Sequence, residues 1–267
     1  MDHLDLELML RLALDIARAG GEVALAHYGT SPQSAEKADG TWVTEGDRAA
    51  ERRMRELLAR HVPDHNILGE EEGLSGAGGG TPSDGAPVWI LDPIDGTHNY
   101  MARIPIWATL VALEVDGRYV AGVAHAPALG ETYDAAVGLG ARCNGTGIGV
   151  SAVSSLDRAT VVTPGYEGFD ERGLAEFYLR LTRSSWRSRG FGDFWGHVLV
   201  ARGACEVMVD PIVATWDLAA LVPIVEEAGG RITNLSAGDP SGGESLVSTN
   251  GALHDRVLDM AVGRSVR

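Results

Sequence analysis

Side chains near one helix face recur at helical spacing in the first part of the chain. Between residues 3 and 28 they are Leu4, Leu8, Leu12, Ile16, Val23 and His27. The pair Gly20-Gly21 weakens the middle of this predicted helix. A second helix is predicted to start at Thr44, because T-E-G-D has the form of a capping box and the residues that follow supply an apolar side.

Short β-rich runs follow the two predicted helices. Residues 88–91 are predicted to form a buried strand that ends at Asp92-Pro93. In residues 107–124, two β-rich runs are joined by Asp116-Gly117, which is a strong hairpin signal. The glycine-rich stretch 74–87 lacks periodicity and is predicted to be a mobile surface loop. We therefore expect an α+β lobe with a largely antiparallel sheet.

Predicted strands and helices alternate after residue 150. The predicted strands are ATVVTP, SSWRSRG, CEVMVD, RITN and SLVSTN, and the predicted helices cover 170–183, 193–203, 216–228 and 254–263. This alternation is typical of an α/β lobe. The sequence thus predicts a lobe at 1–150 with a mostly antiparallel sheet, followed by a mixed α/β lobe at 151–267.

Composition and charge narrow the possible functions. The chain has 267 residues and is 45% hydrophobic, enough for a sizeable core, but it has no apolar run of about 20 residues that could span a membrane. Its net charge of −15 would repel nucleic acid and attract cations, although a generic acidic surface gives the same number. Cys143 and Cys205 lack CxxC partners, which favours reduced thiols in a cytoplasmic protein over a disulfide.

Two aspartates stand close together in WILDPIDGTHNY, residues 89–100. Pro93 disfavours the helical conformation for Asp92, so a turn can direct the carboxylates of Asp92 and Asp95 to one point. Gly96 permits close backbone approach, and Thr97 supplies a hydroxyl and an N–H for an anion such as phosphate. Carboxylates beside an anion site would repel the anion unless divalent cations lay between them. Hard oxygen ligands of this kind suit Mg²⁺. An ordinary Asx-turn is the alternative.

Other acids occur in similar settings. Glu70 and Glu71 follow an apolar stretch, and Asp217 follows Trp216 at the start of an apolar helix. A run of acids is usually a solvated surface, and an Asp at a helix start is often only an N-cap. Spacing alone does not bring these segments together.

The sequence resembles the inositol monophosphatase family of Mg²⁺-dependent, lithium-sensitive phosphatases. The motifs that carry the resemblance are GEE at 69–71, DPIDGT at 92–97 and WDLAALVPIVEEAGG at 216–230, supported by Asn144-Gly145 and the segment 37–47. The match covers nearly the whole chain. It implies a layered sugar-phosphatase-type fold with alternating αβαβα layers, a small phosphorylated substrate and a homodimer.

The resemblance also implies roles for the matched positions. Two or three Mg²⁺ ions would be held by Glu70, Asp92, the backbone carbonyl of Ile94, Asp95, Asp217 and, at the edge, Asp47. Gly96 and Thr97 would bind phosphate, while Thr97 and Glu70 would orient the attacking water. Asp95 is counted with Glu70 and Thr97 as catalytic.

The prediction of the substrate depends on residues 188–211. R-x-F-G-D followed by G-x-x-L-V-A-x-G resembles the histidinol-phosphate phosphatase branch of the family and puts Asp193 and Asp210 in the substrate pocket. Carboxylates there would bind the ammonium and imidazole of L-histidinol phosphate. The alternatives are a helix N-cap for Asp193 and a strand-end turn for Asp210. Arg189 is a third pocket candidate, or a partner of one of these acids.

Two other functions remain open. The chain could act as an inositol-1-phosphatase or a broad small-molecule phosphatase of the same family, or as a non-catalytic interaction protein. Trp195 is the best candidate to stack on an imidazole, with core packing as its alternative. His98, which follows Thr97, has no assigned role.

Overall fold

The helices match most of the sequence predictions. The computed structural model describes residues 4–29, 34–36 and 42–263; Lys37, in the supporting segment 37–47, lies outside them. In these ranges the helices are α1 (Leu6–His27), α2 (Glu45–His61), α3 (Thr97–Met101), α4 (Glu167–Glu171), α5 (Ala175–Ser184), α6 (Asp193–Ala201), α7 (Thr215–Ala219), α8 (Leu221–Glu227) and α9 (His254–Ala261). None of these described helices is long and apolar enough to cross a membrane.

The first sheet has eight described strands in the order β10-β9-β8-β7-β6-β5-β3-β4. They are β3 (Asn66–Gly69), β4 (Gly73–Gly76), β5 (Val88–Asp95), β6 (Ala108–Val115), β7 (Arg118–Ala126), β8 (Glu131–Ala136), β9 (Gly140–Cys143) and β10 (Thr146–Gly147). Every pairing is antiparallel except β3 with β5. A separate small ladder joins β1 (Ser34–Glu36) to β2 (Trp42–Thr44). The largely antiparallel first sheet is therefore confirmed.

The second sheet is mixed, as expected for the C-terminal lobe. Its order is β12-β11-β13-β15-β14, from β11 (Thr160–Thr163), β12 (Arg187–Gly190), β13 (Val207–Asp210), β14 (Arg231–Thr233) and β15 (Leu246–Thr249). β11 pairs in parallel with β12 and β13, whereas β15 is antiparallel to β13 and β14.

Five layers follow from the packing. Helices α1 and α2 cover one face of the first sheet, and α7 and α8 cover the other. Helix α6 packs between α8 and the second sheet, while α5 and α9 lie on that sheet's far side. The αβαβα layering is thus confirmed. A lobe boundary near residue 150 stays a proposal, because the middle helices contact both sheets.

The residues of two turns explain why the predicted hairpin and the predicted capping box are both found in the structure. Asp116 and Gly117 have φ of 51° and 73°, the left-handed pair that a two-residue hairpin between β6 and β7 requires. Thr44 caps α2, with its hydroxyl accepting from the Asp47 N–H and the Asp47 side chain accepting from the Thr44 N–H. The capping box is confirmed.

Three kinds of sequence prediction, for a strand, a loop and helices, were wrong in extent. β5 continues to Asp95, with its register shifted between Asp92 and Asp95, where Pro93 has no N–H for the ladder. The predicted loop 74–87 begins as strand β4, and the side chain of Asn66 exchanges two hydrogen bonds with the Ser83 backbone.

The third error concerns two predicted helices that are each broken in two. Gly173 has φ of 68° between α4 and α5, a conformation that glycine adopts at little cost. The helix predicted for 216–228 divides at Ala220 into α7 and α8.

Candidate metal centre and active site

Three carboxylates from two distant segments converge at the end of β5. Ligand atoms of Asp92, Asp95 and Asp217 all lie within 4.8 Å of one another. Asp92 and Asp95 are buried, with exposed fractions of 1% and 7%. Such acids are stable at this spacing only with protons or cations between them. The structure therefore brings together the two motifs that sequence spacing could not connect.

The Asx-turn interpretation is correct for Asp92, whereas Asp217 is not the N-cap of α7, which is Ala214. Asp92 Oδ1 accepts from the Ile94 N–H at 3.0 Å, which is an Asx-turn. Asp217 Oδ2 accepts from the Ala214 N–H at 2.7 Å at the start of α7. One oxygen of each carboxylate thus fixes the side chain, and together with Asp95 these acids form a group that could hold a metal ion.

Two further acids reach the same centre. The pKa of Asp92 is raised well above its usual range by burial and then by the charges of Glu70, Asp95, Asp217 and Asp47, so all five carboxyls lie close. Glu70 follows β3, and its N–H donates to the Leu91 carbonyl at 3.1 Å. The parallel pairing of β3 with β5 therefore sets GEE beside DPID.

Asp47 carries an unusual buried oxygen. Its Oδ2 accepts hydrogen bonds from the Thr44 N–H and hydroxyl, whereas its Oδ1 is buried without a hydrogen-bond partner among the described residues. Burial, aided by the charges of Glu70 and Glu71, raises the Asp47 pKa to about 7 despite the two hydrogen bonds. An unpaired buried carboxylate oxygen next to other acids fits a divalent cation or a water bound to one.

The turn after β5 is shaped for a close approach. Gly96 has φ of 84°, and a Cβ there would lie 3.1 Å from the Ile106 carbonyl oxygen. Helix α3 then starts at Thr97. The Thr97 hydroxyl donates to the Ile94 carbonyl at 3.0 Å, which holds that predicted metal ligand in place.

Helix α6 is joined to the same turn by two hydrogen bonds. The Phe194 N–H donates to Asp95 Oδ2 at 2.7 Å, and Asn99 Nδ2 donates to Asp193 Oδ2 at 3.0 Å. Asp193 is the first residue of α6 rather than its cap, which is Gly192. Its φ of 55° lies in the left-handed region. No local sequence pattern indicates the contacts of Asn99 and the Phe194 amide, and neither group was among the predicted site residues.

Asp210 lies at the end of β13, across a small cavity of about 70 Å³ that Asp95, Asp193 and Asp217 also line. Burial raises its pKa to about 8, with Asp193 and Asp217 adding to the shift and a hydrogen bond from the Ile212 N–H opposing it. That hydrogen bond is the strand-end turn of the alternative interpretation. Asp193 and Asp210 therefore form an acidic wall beside the proposed phosphate site.

The remaining candidates are exposed or partly buried. Arg189 is exposed on β12 and donates to the Ser188 carbonyl, and among the described residues no ion pair joins it to Asp193 or Asp210. His98 is exposed, and its charge lowers the pKa of Asp193 against the larger effect of burial. Trp195 is half-buried and contacts Phe194 edge-on at 5.8 Å.

Two buried groups have structural surroundings. His197 is hydrogen-bonded to Ser248 at 2.7 Å, and burial lowers its pKa to about 3, so its ring is neutral. Cys143 and Cys205, both described, are free thiols. Burial raises the pKa of Cys205 to about 11, which leaves it a poor nucleophile.

Comparison with known proteins shows what the whole chain is similar to. A histidinol-phosphatase of Mycobacterium tuberculosis is 42% identical over 255 residues, covering 93% of this chain and 96% of the relative. One of Chlorobaculum parvum is 40% identical over 260 residues, covering 97% and 98%. The solved structure of an IMPase of Thermotoga maritima has a TM-score of 0.83 and 31% identity, covering 96% of this chain and 97% of the other. The sequence profile of the inositol monophosphatase family matches residues 5–264, and the chain belongs to that family.

Proposed function

We propose that this protein is a Mg²⁺-dependent phosphatase that hydrolyses L-histidinol phosphate to L-histidinol and phosphate. The observation that carries the proposal is the convergence of Asp92, Asp95 and Asp217 beside the Gly96-Thr97 turn. Relatives named histidinol-phosphatase at 42% and 40% identity support the choice of substrate.

The donor set fits Mg²⁺, because it consists of carboxylate oxygens and one backbone carbonyl. We infer two or three ions, held by Glu70, Asp92, the Ile94 carbonyl, Asp95 and Asp217, with Asp47 at the edge. When bound, Mg²⁺ supplies Lewis acidity that lowers the pKa of a water and offsets the charge of the phosphate.

The chain's own residues orient the reactants. Glu70 and the Thr97 hydroxyl would hold the attacking water. Gly96 and Thr97 would bind the phosphate, as the family resemblance implies. Asp95 accepts from the Phe194 N–H and so links the hydrolytic centre to helix α6, which carries the acidic wall. Neither cysteine nor the neutral His197 is required.

Substrate selection would rest on Asp193 and Asp210. These two carboxylates beside the proposed phosphate site favour a ligand with an ammonium or imidazolium group, because charge-assisted hydrogen bonds are stronger than neutral ones. Arg189 would bind the substrate at the outer edge of the pocket. An uncharged polyol gains less from these acids, which makes inositol 1-phosphate the second candidate. A non-catalytic role would leave the converged acids without a purpose.

We also propose that the protein acts as a homodimer in the cytoplasm, by analogy with the family and from its two free thiols. Sedimentation equilibrium at several concentrations tests the first point: a single species of 28.2 kDa would exclude the dimer.

The decisive experiment compares phosphate release from L-histidinol phosphate and inositol 1-phosphate, each with Mg²⁺ and with EDTA. We expect kcat/KM to favour histidinol phosphate by about 100-fold or more, which corresponds to roughly 2.7 kcal/mol. A preference for inositol phosphate would overturn the substrate and leave the metal chemistry standing. Release from neither substrate would favour the non-catalytic role.

A further inference from the structure

Helix α2 carries a charged stripe on its buried face. Asp47, Glu51 and Arg55 are spaced four residues apart, so they lie one above the other. The side chains of Asp47 and Glu51 are fully buried, and that of Arg55 is 12% exposed. An amphipathic helix normally buries apolar residues on this face. Asp47 faces the metal centre, but Glu51 and Arg55 need a different explanation.

Glu51 binds the backbone that directly follows Glu70. Its Oε2 accepts from the Glu71 N–H at 2.8 Å, and its Oε1 accepts from the Glu72 N–H at 3.1 Å. Gly69 makes room for this carboxylate, because a Cβ at that position would collide with Glu51 Oε1. A buried carboxylate that accepts two amides in a row fixes both peptide planes.

Arg55 holds the other side of the same turn. Its Nε donates to Glu51 Oε1 at 2.8 Å, its Nη2 to the Gly73 carbonyl at 2.6 Å and its Nη1 to Ser75 Oγ at 2.9 Å. The guanidinium also lies 3.5 Å from the Glu72 carboxylate. The rigid fork of an arginine suits such a three-way contact, which a lysine could not make.

We propose that Glu51 and Arg55 are positioning residues that hold Glu70 in the orientation needed to bind metal. The inference rests on the proposed function, in which Glu70 is a metal ligand. Three consecutive acids at 70–72 repel one another and, if the turn were loose, would separate into solvent. Glu51 and Asp47 lie on the same helix, and Glu51 holds the turn that follows Glu70. Helix α2 therefore sets the distance between Asp47 and Glu70 in the proposed metal centre.

The test uses three variants on α2. Glu51→Gln keeps the side chain's shape but removes its charge and one acceptor. Arg55→Lys keeps the charge and removes the fork, so it tests the inference even where Glu51→Gln does not fold. Glu56→Gln is the matched control, because Glu56 pairs with Arg53 on the exposed side of the same helix.

Three quantities are measured for each variant: Mg²⁺ affinity by calorimetry, the Mg²⁺ concentration that half-saturates phosphate release, and hydrogen exchange of the Glu71 and Glu72 amides in EDTA. We expect the two positioning variants to weaken Mg²⁺ binding and raise the half-saturating concentration about 10- to 100-fold, with kcat at saturating Mg²⁺ nearly retained. The two amides should exchange faster, and the control should match the wild type.

Lower melting temperatures with unchanged Mg²⁺ affinity would show a purely structural network and overturn the inference. If the wild-type protein releases no phosphate with Mg²⁺, the proposed function fails instead. Calorimetry and hydrogen exchange still decide the positioning role in that case, because neither depends on turnover.

Discussion

The unpaired oxygen of Asp47 predicts that the metal-free protein becomes less stable as pH rises. The pKa of Asp47 is about 7 in the folded protein, against an ordinary value of 3.8. Between these values the folded protein keeps a proton that the unfolded chain has lost. Stability is therefore fully present below about pH 4 and is lost as pH rises through about pH 7, above which the loss is constant.

The size of this loss is large for one side chain. The difference between 3.8 and about 7 corresponds to roughly 4 kcal/mol at full titration. Folded domains are stable by only about 5–15 kcal/mol, so the change is easily measured. Asp92 and Asp95, whose pKa values burial also raises, act in the same direction.

The variant Asp47→Asn isolates the contribution of Asp47. Asparagine keeps an acceptor for Thr44 but has no proton to lose, while Asp92 and Asp95 titrate in both proteins. Urea unfolding in EDTA is measured at about pH 4 and about pH 8 for both proteins. Between these pH values, the free energy of unfolding of the variant should rise by about 4 kcal/mol relative to that of the wild type. Excess Mg²⁺ should remove most of this gain, because the ion stabilises the ionised wild-type site. If the free energies of unfolding of the two proteins change with pH in parallel, the raised pKa of Asp47 is refuted.

Three other predictions concern chemistry and packing. Asp92→Asn should abolish turnover without unfolding the protein; activity in the phosphate-release assay would contradict its role as a metal ligand. Asp193→Asn should raise KM for histidinol phosphate about tenfold and KM for inositol phosphate less, because a charged hydrogen bond is lost; equal effects would remove Asp193 from substrate selection. Gly122→Ala should lower the free energy of unfolding by about 1–3 kcal/mol, since its Cβ would collide with the Ala220 carbonyl. Gly147→Ala, with no described atom within 4 Å of the new Cβ, should be nearly neutral, and equal urea midpoints for the two would contradict the packing argument.

Local patterns predicted local structure well. The Asp116-Gly117 hairpin and the Thr44 capping box depend on neighbouring residues only, and both are confirmed. The break at Gly173 also had a signal, because an isolated glycine destabilises the helical pattern in which it occurs. The extension of β5 past Pro93 had none, since it depends on β6 continuing alongside.

The candidate site could be assembled from sequence only through family resemblance. Asp95 and the Phe194 amide are 99 residues apart, and their contact depends on how two sheets pack around α6. No local pattern separates Glu51 from the other charged residues of its helix, yet it is fully buried against the GEE turn. Local spacing specifies which face a residue occupies, whereas tertiary packing decides which segment meets that face.

The backbone at Asp193 limits how this pocket can change during evolution. At φ of 55° an L-residue with a bulky or β-branched side chain is strained, and the residues that tolerate this region best are glycine, asparagine and aspartate. Those three offer the pocket an open space, a neutral amide or a negative charge. A shift in substrate preference can therefore come from a single substitution at Asp193 among these three residues, while the proposed metal ligands on β5 and α7 stay unchanged.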